Sequence, residues 1–234
     1  MPILRTRPVF LTGNRLAGGA LRKYSGANES HLLLQAVTRE FQLNETDAAD
    51  TFLYSAGPTT NMGTVVTFNV GESNAETSVS RTLIKAPLGQ LDAERVASIT
   101  ACYLDLTINL DRSSTARDFK MYRVLRDWVE SQATWNIFST GNNWGTAGCG
   151  DTTTDYNNTV LATTNFTATE AIGTVKRFSL DTTVVYDMLQ GVYSDYGFLI
   201  KADTEANDAW IFNSSGAAFE IQRPLWTIET LEAS

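Results

Sequence analysis

One histidine in 234 residues narrows the chemistry of this chain before any other feature does. Nucleophilic catalysis by serine or cysteine needs a base to take the nucleophile's proton, and His31, followed by three leucines, has no triad-like setting. Glycoside hydrolysis needs two carboxylates facing each other across a cleft. Asp127 with Glu130 and Asp203 with Glu205 are close pairs of that kind, but 26 acidic residues make close pairs inevitable, and both read as solvated turn carboxylates. The two cysteines, Cys102 and Cys149, have no partners at zinc-ligand spacing. A disulfide between them and two buried thiols are both open readings. Asp151, Asp155, Asp203 and Asp208 are residues that would hold a structural calcium ion in a loop, although no twelve-residue hand pattern is present. Gly13 to Gly18 imitates the start of a phosphate-binding loop, yet Gly19 and Ala20 stand where lysine and a hydroxyl residue are required. The expectation is a protein that is not an enzyme, with no cofactor and calcium as the one metal to consider.

Two groups of residues point to binding instead. Trp144, Tyr156, Tyr193 and Trp210 fall in loop or edge positions, where an exposed ring can stack on a sugar. Trp128 and Trp135 read as core. The other group is basic: Arg5, Arg7, Arg15, Arg22 and Lys23 lie in the first 28 residues, which contain no acid. Residues 1–43 carry a charge of +4 against −8 for the whole chain. A basic arm on an acidic body suggests docking on a neighbouring acidic surface. Nucleic acid is not expected, because the arm has no interleaved aromatics and the body would repel phosphate. No apolar run reaches membrane-spanning length, and the amino terminus is too quickly interrupted for a secretory signal.

The elements that must position these residues are strands. Thr, Ser, Asn and Gly are abundant, and β-branched residues with small polar turn formers describe an all-β chain. Strands are expected within 31–43 (Val37, Phe41 and Leu43 alternating with polar residues, favoured over a short amphipathic helix), 50–71, 78–88, 96–110, 119–126, 174–180, 196–203, 208–215 and 223–231. The segment 96–110 is the longest. A helical turn or two follows, where Asp181 or Thr182 could cap and Gly191 could end it. Trp128, Trp135 and Trp144 fall within seventeen residues at spacings that suit neither a helix stripe nor a strand face. They imply a long ordered loop across the end of a sandwich. The fold class is thus an all-β, jelly-roll-like antiparallel sandwich, with an arm at 1–43, a body at 44–234 and at most one or two short helices.

The order DTFLYSAGPTTNMGTVVTFNVG, RTLIKAPLGQL, ASITACYLDLTI, YRVLRDWVESQATWN with NWGTAG, YGFLIKA and RPLWTIE resembles the DNRLRE family. The most specific piece is W-x-E-S-x-x-T-W-N, met by Trp128, Glu130, Ser131, Thr134, Trp135 and Asn136. The resemblance covers about residues 46–230. It implies a jelly-roll β-sandwich and, because part of that family consists of carbohydrate-binding modules, a polysaccharide ligand such as alginate. After the R-x-L-I-K run this chain has Ala86-Pro87, where the family carries an apolar residue and Asp.

These readings give two expectations for function. The first is a structural bacteriophage virion component, a capsid decoration, cement or head–tail accessory protein, whose arm docks on other subunits in a homo-oligomer or lattice. It would be made in the host cytoplasm and reside in the virion. The alternative is an extracellular carbohydrate-binding module.

Overall fold

The computed structural model describes residues 3–8, 34–44, 46, 48–73, 77–206 and 208–233. The strands are β1 (Ile3–Pro8), β2 (Leu34–Gln42), β3 (Asp50–Tyr54), β4 (Thr67–Ser73), β5 (Ser78–Ile84), β6 (Val96–Asp111), β7 (Arg117–Arg123), β8 (Ile137–Ser139), β9 (Asn142–Asn143), β10 (Ala162–Phe166) and β11 (Val175–Ser179). Helix α1 (Thr182–Leu189) precedes β12 (Phe198–Ala202), β13 (Ala209–Asn213) and β14 (Leu225–Ala233). The fold is all-β, every strand pairing is antiparallel, and α1 is the one α-helix among the described residues. Asp181 caps that helix by accepting from the Thr183 and Val184 amides, and Gly191 follows it at φ +73°, a left-handed conformation that glycine adopts without strain.

A single strand ties the layers together. From Val96 to Asp105, β6 pairs with β14, while from Ile108 to Asp111 it pairs with β13. It therefore belongs to a first sheet, β1-β2-β14-β6-β11, and also begins a second, β6-β13-β4-β5-β12-β7-β10, with β3 on β5. The curled sheet wraps one main core, with Phe68, Phe119, Phe166, Phe178, Phe212, Trp210 and Trp226 at its centre. The alternation in β6 is not constant. Opposite Glu229 and Thr230 the partner skips from Ala101 to Ile99, a bulge that resets which side chains face inward. Ile99 is buried, yet beyond the bulge it is Cys102 and Leu104 that enter the core while Ala101 and Tyr103 turn partly outward.

The second sheet is apolar on both faces, because successive residues of a strand point to opposite sides. Phe52, Ile84, Phe119, Met121, Phe198 and Ile200 enter the main core, whereas Leu53, Leu83, Tyr122, Val124 and Leu199 enter a separate cluster with Trp128, Ala133, Trp144, Cys149 and Tyr156. The tryptophan-rich segment thus covers a sheet face instead of crossing the end of the sandwich. The W-x-E-S-x-x-T-W-N residues build this cover. Trp128 Nε1 donates to Tyr196 O at 2.7 Å, Glu130 Oε1 accepts from Asp50 N at 2.9 Å, and Trp144 Nε1 donates to Thr134 O at 2.9 Å. The Thr134 hydroxyl oxygen accepts from the Asn136 and Ile137 amides. Trp135 is half-buried, packed so closely on Gly148 that a Cβ there would lie 2.6 Å from its ring.

The boundary at residue 43 does not divide the structure. β2 pairs with β14 along its whole length, Val37, Phe41 and Leu43 are buried, and Arg39 forms a bidentate pair with Glu232. Arg5 and Arg7 lie on β1, which pairs with β2 of the same chain. Arg15, Arg22, Lys23 and His31 lie outside the described residues. A chain beginning at Asn44 is predicted to lose cooperative thermal unfolding by circular dichroism. Phe41→Ala in the full chain is predicted to cost about 3–5 kcal/mol in urea denaturation. A cooperative, near-wild-type transition in the truncated chain would contradict the place of β2 in the fold.

Candidate functional site

The main core uses one face of β4 and β13, through Phe68, Val70, Trp210 and Phe212. Their other face begins a pocket. Asn69 pairs with Ile211 and Gly71 with Ala209, so Asn69, Ile211 and Ala209 share the face turned away from the core. Ser78 and Ser80 of β5, Phe52 and Tyr54 of β3, Met62 and Arg112 complete a pocket of about 260 Å³. Gly71 sits at φ +104° and a Cβ there would lie 2.1 Å from Asp208 O, so a side chain would push β4 and β13 apart.

Phe52, Ser78, Ser80, Ala209 and Ile211 are buried in the pocket's depth, Tyr54, Met62 and Asn69 are half-buried, and Arg112 is exposed at the mouth. The Phe52 and Tyr54 rings meet edge to face at 6.3 Å. Ser78 Oγ lies 3.4 Å from the Tyr54 hydroxyl. Arg112 is held beside the pocket by its amide, which donates to Ala209 O at 2.9 Å. Among the described residues, the Asn69 amide, the Ser80 hydroxyl and the Arg112 guanidinium have no hydrogen-bond or ion-pair partner. An apolar wall with a few convergent polar groups is the usual form of a small-ligand site. Here the polar groups can both donate and accept, and the guanidinium suits a carboxylate.

The aromatic residues expected to stack on sugars are elsewhere. Trp210 is fully buried against Phe119 and Phe166 in the main core, and Trp144 is 5% exposed in the second cluster. Tyr156 is also 5% exposed, its ring 5.0 Å from Tyr122. Tyr193 is at the surface, with the Arg123 guanidinium 4.2 Å from its ring centroid. Large rings fill a core efficiently, and Trp144, Tyr156 and Trp210 serve that purpose here. The pocket itself is lined by Phe52, Tyr54, Met62, Asn69, Ser78 and Ser80 among others, none of them marked as a binding residue by spacing or type.

Most of the acidic residues weighed for calcium or catalysis are committed to the backbone or to arginine. Asp155 accepts from the Gly145, Thr146 and Asp151 amides at 2.7–3.0 Å. Asp208 accepts from Ser114 N and Thr115 N and pairs with Arg117 at 3.0 Å. Asp151 accepts from Thr153 and Thr154, which holds its carboxyl down at about 2. Asp203 accepts from the Thr204 amide, and Glu205 takes a bidentate pair with Arg81 at 2.6 and 2.7 Å. Asp127 lies 3.8 Å from Lys85. Among the described residues no group of three or more His, Cys, Asp or Glu gathers as metal ligands do.

Cys102 and Cys149 are both free, one in each apolar cluster. Burial raises the Cys102 thiol to about 12 and pushes Cys149 well above its ordinary value, with Asp155 adding to the effect. Both are inert packing groups at neutral pH.

Residues 50–228 match the profile of the Disaggregatase related repeat domain. The chain belongs to that family. The match runs from the first residue of β3 into β14, so it takes in the pocket and the tryptophan segment but leaves β1 and β2 outside. The DNRLRE resemblance holds at the level of the β-sandwich, while the profile that matches is that of the disaggregatase-related repeat. No curated protein matches the chain. No described helix of this family member is long and apolar enough to cross a membrane.

Two outcomes follow for the carboxylates. Asp155→Ala, which strands three amides, is predicted to lower stability by about 3 kcal/mol or more in urea denaturation. The Asp151 carboxyl is depressed in the folded state, so its contribution is complete above its ordinary value of 3.8 and disappears as pH falls through about 2. A carboxyl-carbon NMR titration should therefore place Asp151 below the other surface aspartates, and a value near 3.8 would contradict the turn geometry.

Proposed function

We propose that the chain is a non-catalytic β-sandwich module that binds saccharides, with the pocket between β3, β4, β5 and β13 as its site. The observation that carries this reading is the convergence of three unpartnered polar groups, Asn69, Ser80 and Arg112, on an apolar pocket of one-ring size. Phe52, Met62 and Ile211 offer the apolar surface that the C–H face of a sugar needs, and Asn69 and Ser80 offer partners for hydroxyls. Arg112 at the mouth favours a uronate-bearing polymer such as alginate over a neutral one. The absence of catalysis in this reading is supported by the engaged carboxylates. The family's description, a repeat domain related to disaggregatase, accords with a module that serves a larger assembly.

Calorimetry with alginate oligomers tests the reading. Arg112→Ala and Asn69→Leu should each weaken binding by about tenfold or more, consistent with loss of about 1.5 kcal/mol for a hydrogen bond to a charged or buried partner. No reducing or unsaturated ends should appear during incubation. Binding unchanged in both variants, or turnover of the polymer, would overturn the proposal.

A second reading, a structural subunit of a phage virion or similar particle, is favoured by one feature: β1 ends the first sheet, and an edge strand is a template for pairing with another chain. On that reading the full chain forms a defined oligomer by light scattering, which Arg5→Glu with Arg7→Glu disperses. A monomer at every concentration would reject it.

A further inference from the structure

The outer face of the second sheet carries an unusual rung. Lys201 of β12 lies directly opposite Lys120 of β7. Ile200 pairs with Thr82, which places Arg81 of β5 beside Lys201 on the other side. Side chains at these positions leave the same face as Leu199 and Tyr122, so three cations stand abreast on adjacent strands, spaced about 4.8 Å apart along the hydrogen-bonding direction. Like charges directly opposite one another destabilise a sheet.

Arg81 is accounted for: Glu205 takes it in a bidentate pair and Gly148 O accepts from it at 2.8 Å. The two lysines are not. Among the described residues neither ammonium has a hydrogen bond, nor a carboxylate within 4.0 Å. Both are half-buried, and Lys201 Nζ stands 5.9 Å from the Tyr156 ring centroid. Burial draws the Lys201 pKa down, with Glu205 opposing and Arg81 reinforcing the effect.

Two phenols complete the arrangement. Tyr122 is two residues from Lys120 on the same face, and its ring meets that of Tyr156 at 5.0 Å. Both rings are buried, yet neither hydroxyl has a protein partner and neither is sealed from the surface. Burial raises both phenol pKa values, with Arg81 opposing the shift at Tyr156 and nearby acidic groups adding to it at both, so both remain protonated donors at neutral pH. The site therefore offers two ammonium groups and two hydroxyl donors. The neighbouring acids are occupied, Glu205 by Arg81, Asp203 by the Thr204 amide and Asp118 by Asn165 Nδ2 at 2.9 Å.

We propose that Lys120, Lys201 and the Tyr122 and Tyr156 hydroxyls form a binding site for a tetrahedral oxyanion, phosphate or sulfate. An oxyanion supplies acceptors on several sides at once, relieves the lysine rung and restores solvation to the half-buried ammonium. This site lies on the opposite side of β5 from the saccharide pocket and stands independently of it: Ser80 serves one face and Arg81 the other. The chemistry is the same whether the oxyanion is free or is an ester on a polymer.

Thermal unfolding of the full chain in sulfate, phosphate and chloride at equal ionic strength provides the test. Sulfate raises the stability of proteins in general, so the readout is the difference between wild type and variants. Wild type should show a saturable, oxyanion-specific rise in Tm. Lys201→Met and Lys120→Gln should each weaken the apparent affinity about tenfold, and Tyr156→Phe about threefold while leaving the ring in place. In chloride, Lys120→Gln should raise Tm by relieving the rung. Dextran sulfate binding that depends on Lys201, with none to dextran, would assign the oxyanion to a polymer, and a response to the inorganic ions alone would assign it to a free ion. Parallel shifts in wild type and all variants, or no saturable rise, would overturn the proposal.

Discussion

The structure depends on burying both faces of β5, β12 and β7. An antiparallel sheet commonly leaves one face to water, and here that face carries Leu53, Leu83, Leu199, Tyr122 and Val124, too apolar to be left open. The segment after β7 must therefore fold over it, and because it is mostly not strand, its backbone polar groups need partners from side chains. That requirement explains the otherwise odd composition of the segment. Trp128 and Trp144 supply area and also donate their indole N–H groups to carbonyls, Thr134 and Asp155 accept from loop amides, and Glu130 accepts from the first amide of β3. A fully buried large side chain of this kind contributes about 3–5 kcal/mol by truncation, so the cover is a second core.

The same constraint sorts the polar residues by use. Most carboxylates in the described residues hold a loop amide or an arginine, and among those residues no group of three or more His, Cys, Asp or Glu gathers. Among the polar groups left without a hydrogen-bond partner, two sets lie on opposite faces of β5. One is the pocket of Asn69, Ser80 and Arg112, and the other is the lysine rung with its two phenols. A module that spends its charged groups on structure leaves its binding capacity where such groups remain unpaired.

Much of the fold was legible in the sequence. Most strand positions (β1 and β10 among the exceptions), the long β6, a cap at one of the two candidates, Asp181, and the stop at Gly191 follow from local chemistry, and period-two patterns place Val37, Phe41 and Leu43 inward as observed. The sites were harder to see. Trp144 and Trp210 resemble surface platforms in sequence because a ring, whether in a loop or on a strand, carries no local sign of what will lie against it. The β6 bulge shifts the alternation by one residue with no marker at Thr100. The arm boundary failed because β2 joins the sheet through contacts with β14, almost two hundred residues away, which no local pattern records. The pocket and the lysine rung are products of register: only the pairing of Lys201 with Lys120, or Asn69 with Ile211, brings those residues together.

Native-state hydrogen exchange resolved by residue addresses the double-faced sheet most directly. The account predicts that the amides of Gly145, Thr146, Asp151 and Trp144 exchange as slowly as those of β7 and β12, opening only with global unfolding. Exchange at these positions on the timescale of an unprotected loop, with β7 still protected, would contradict a second core and leave the tryptophan segment a mobile surface loop.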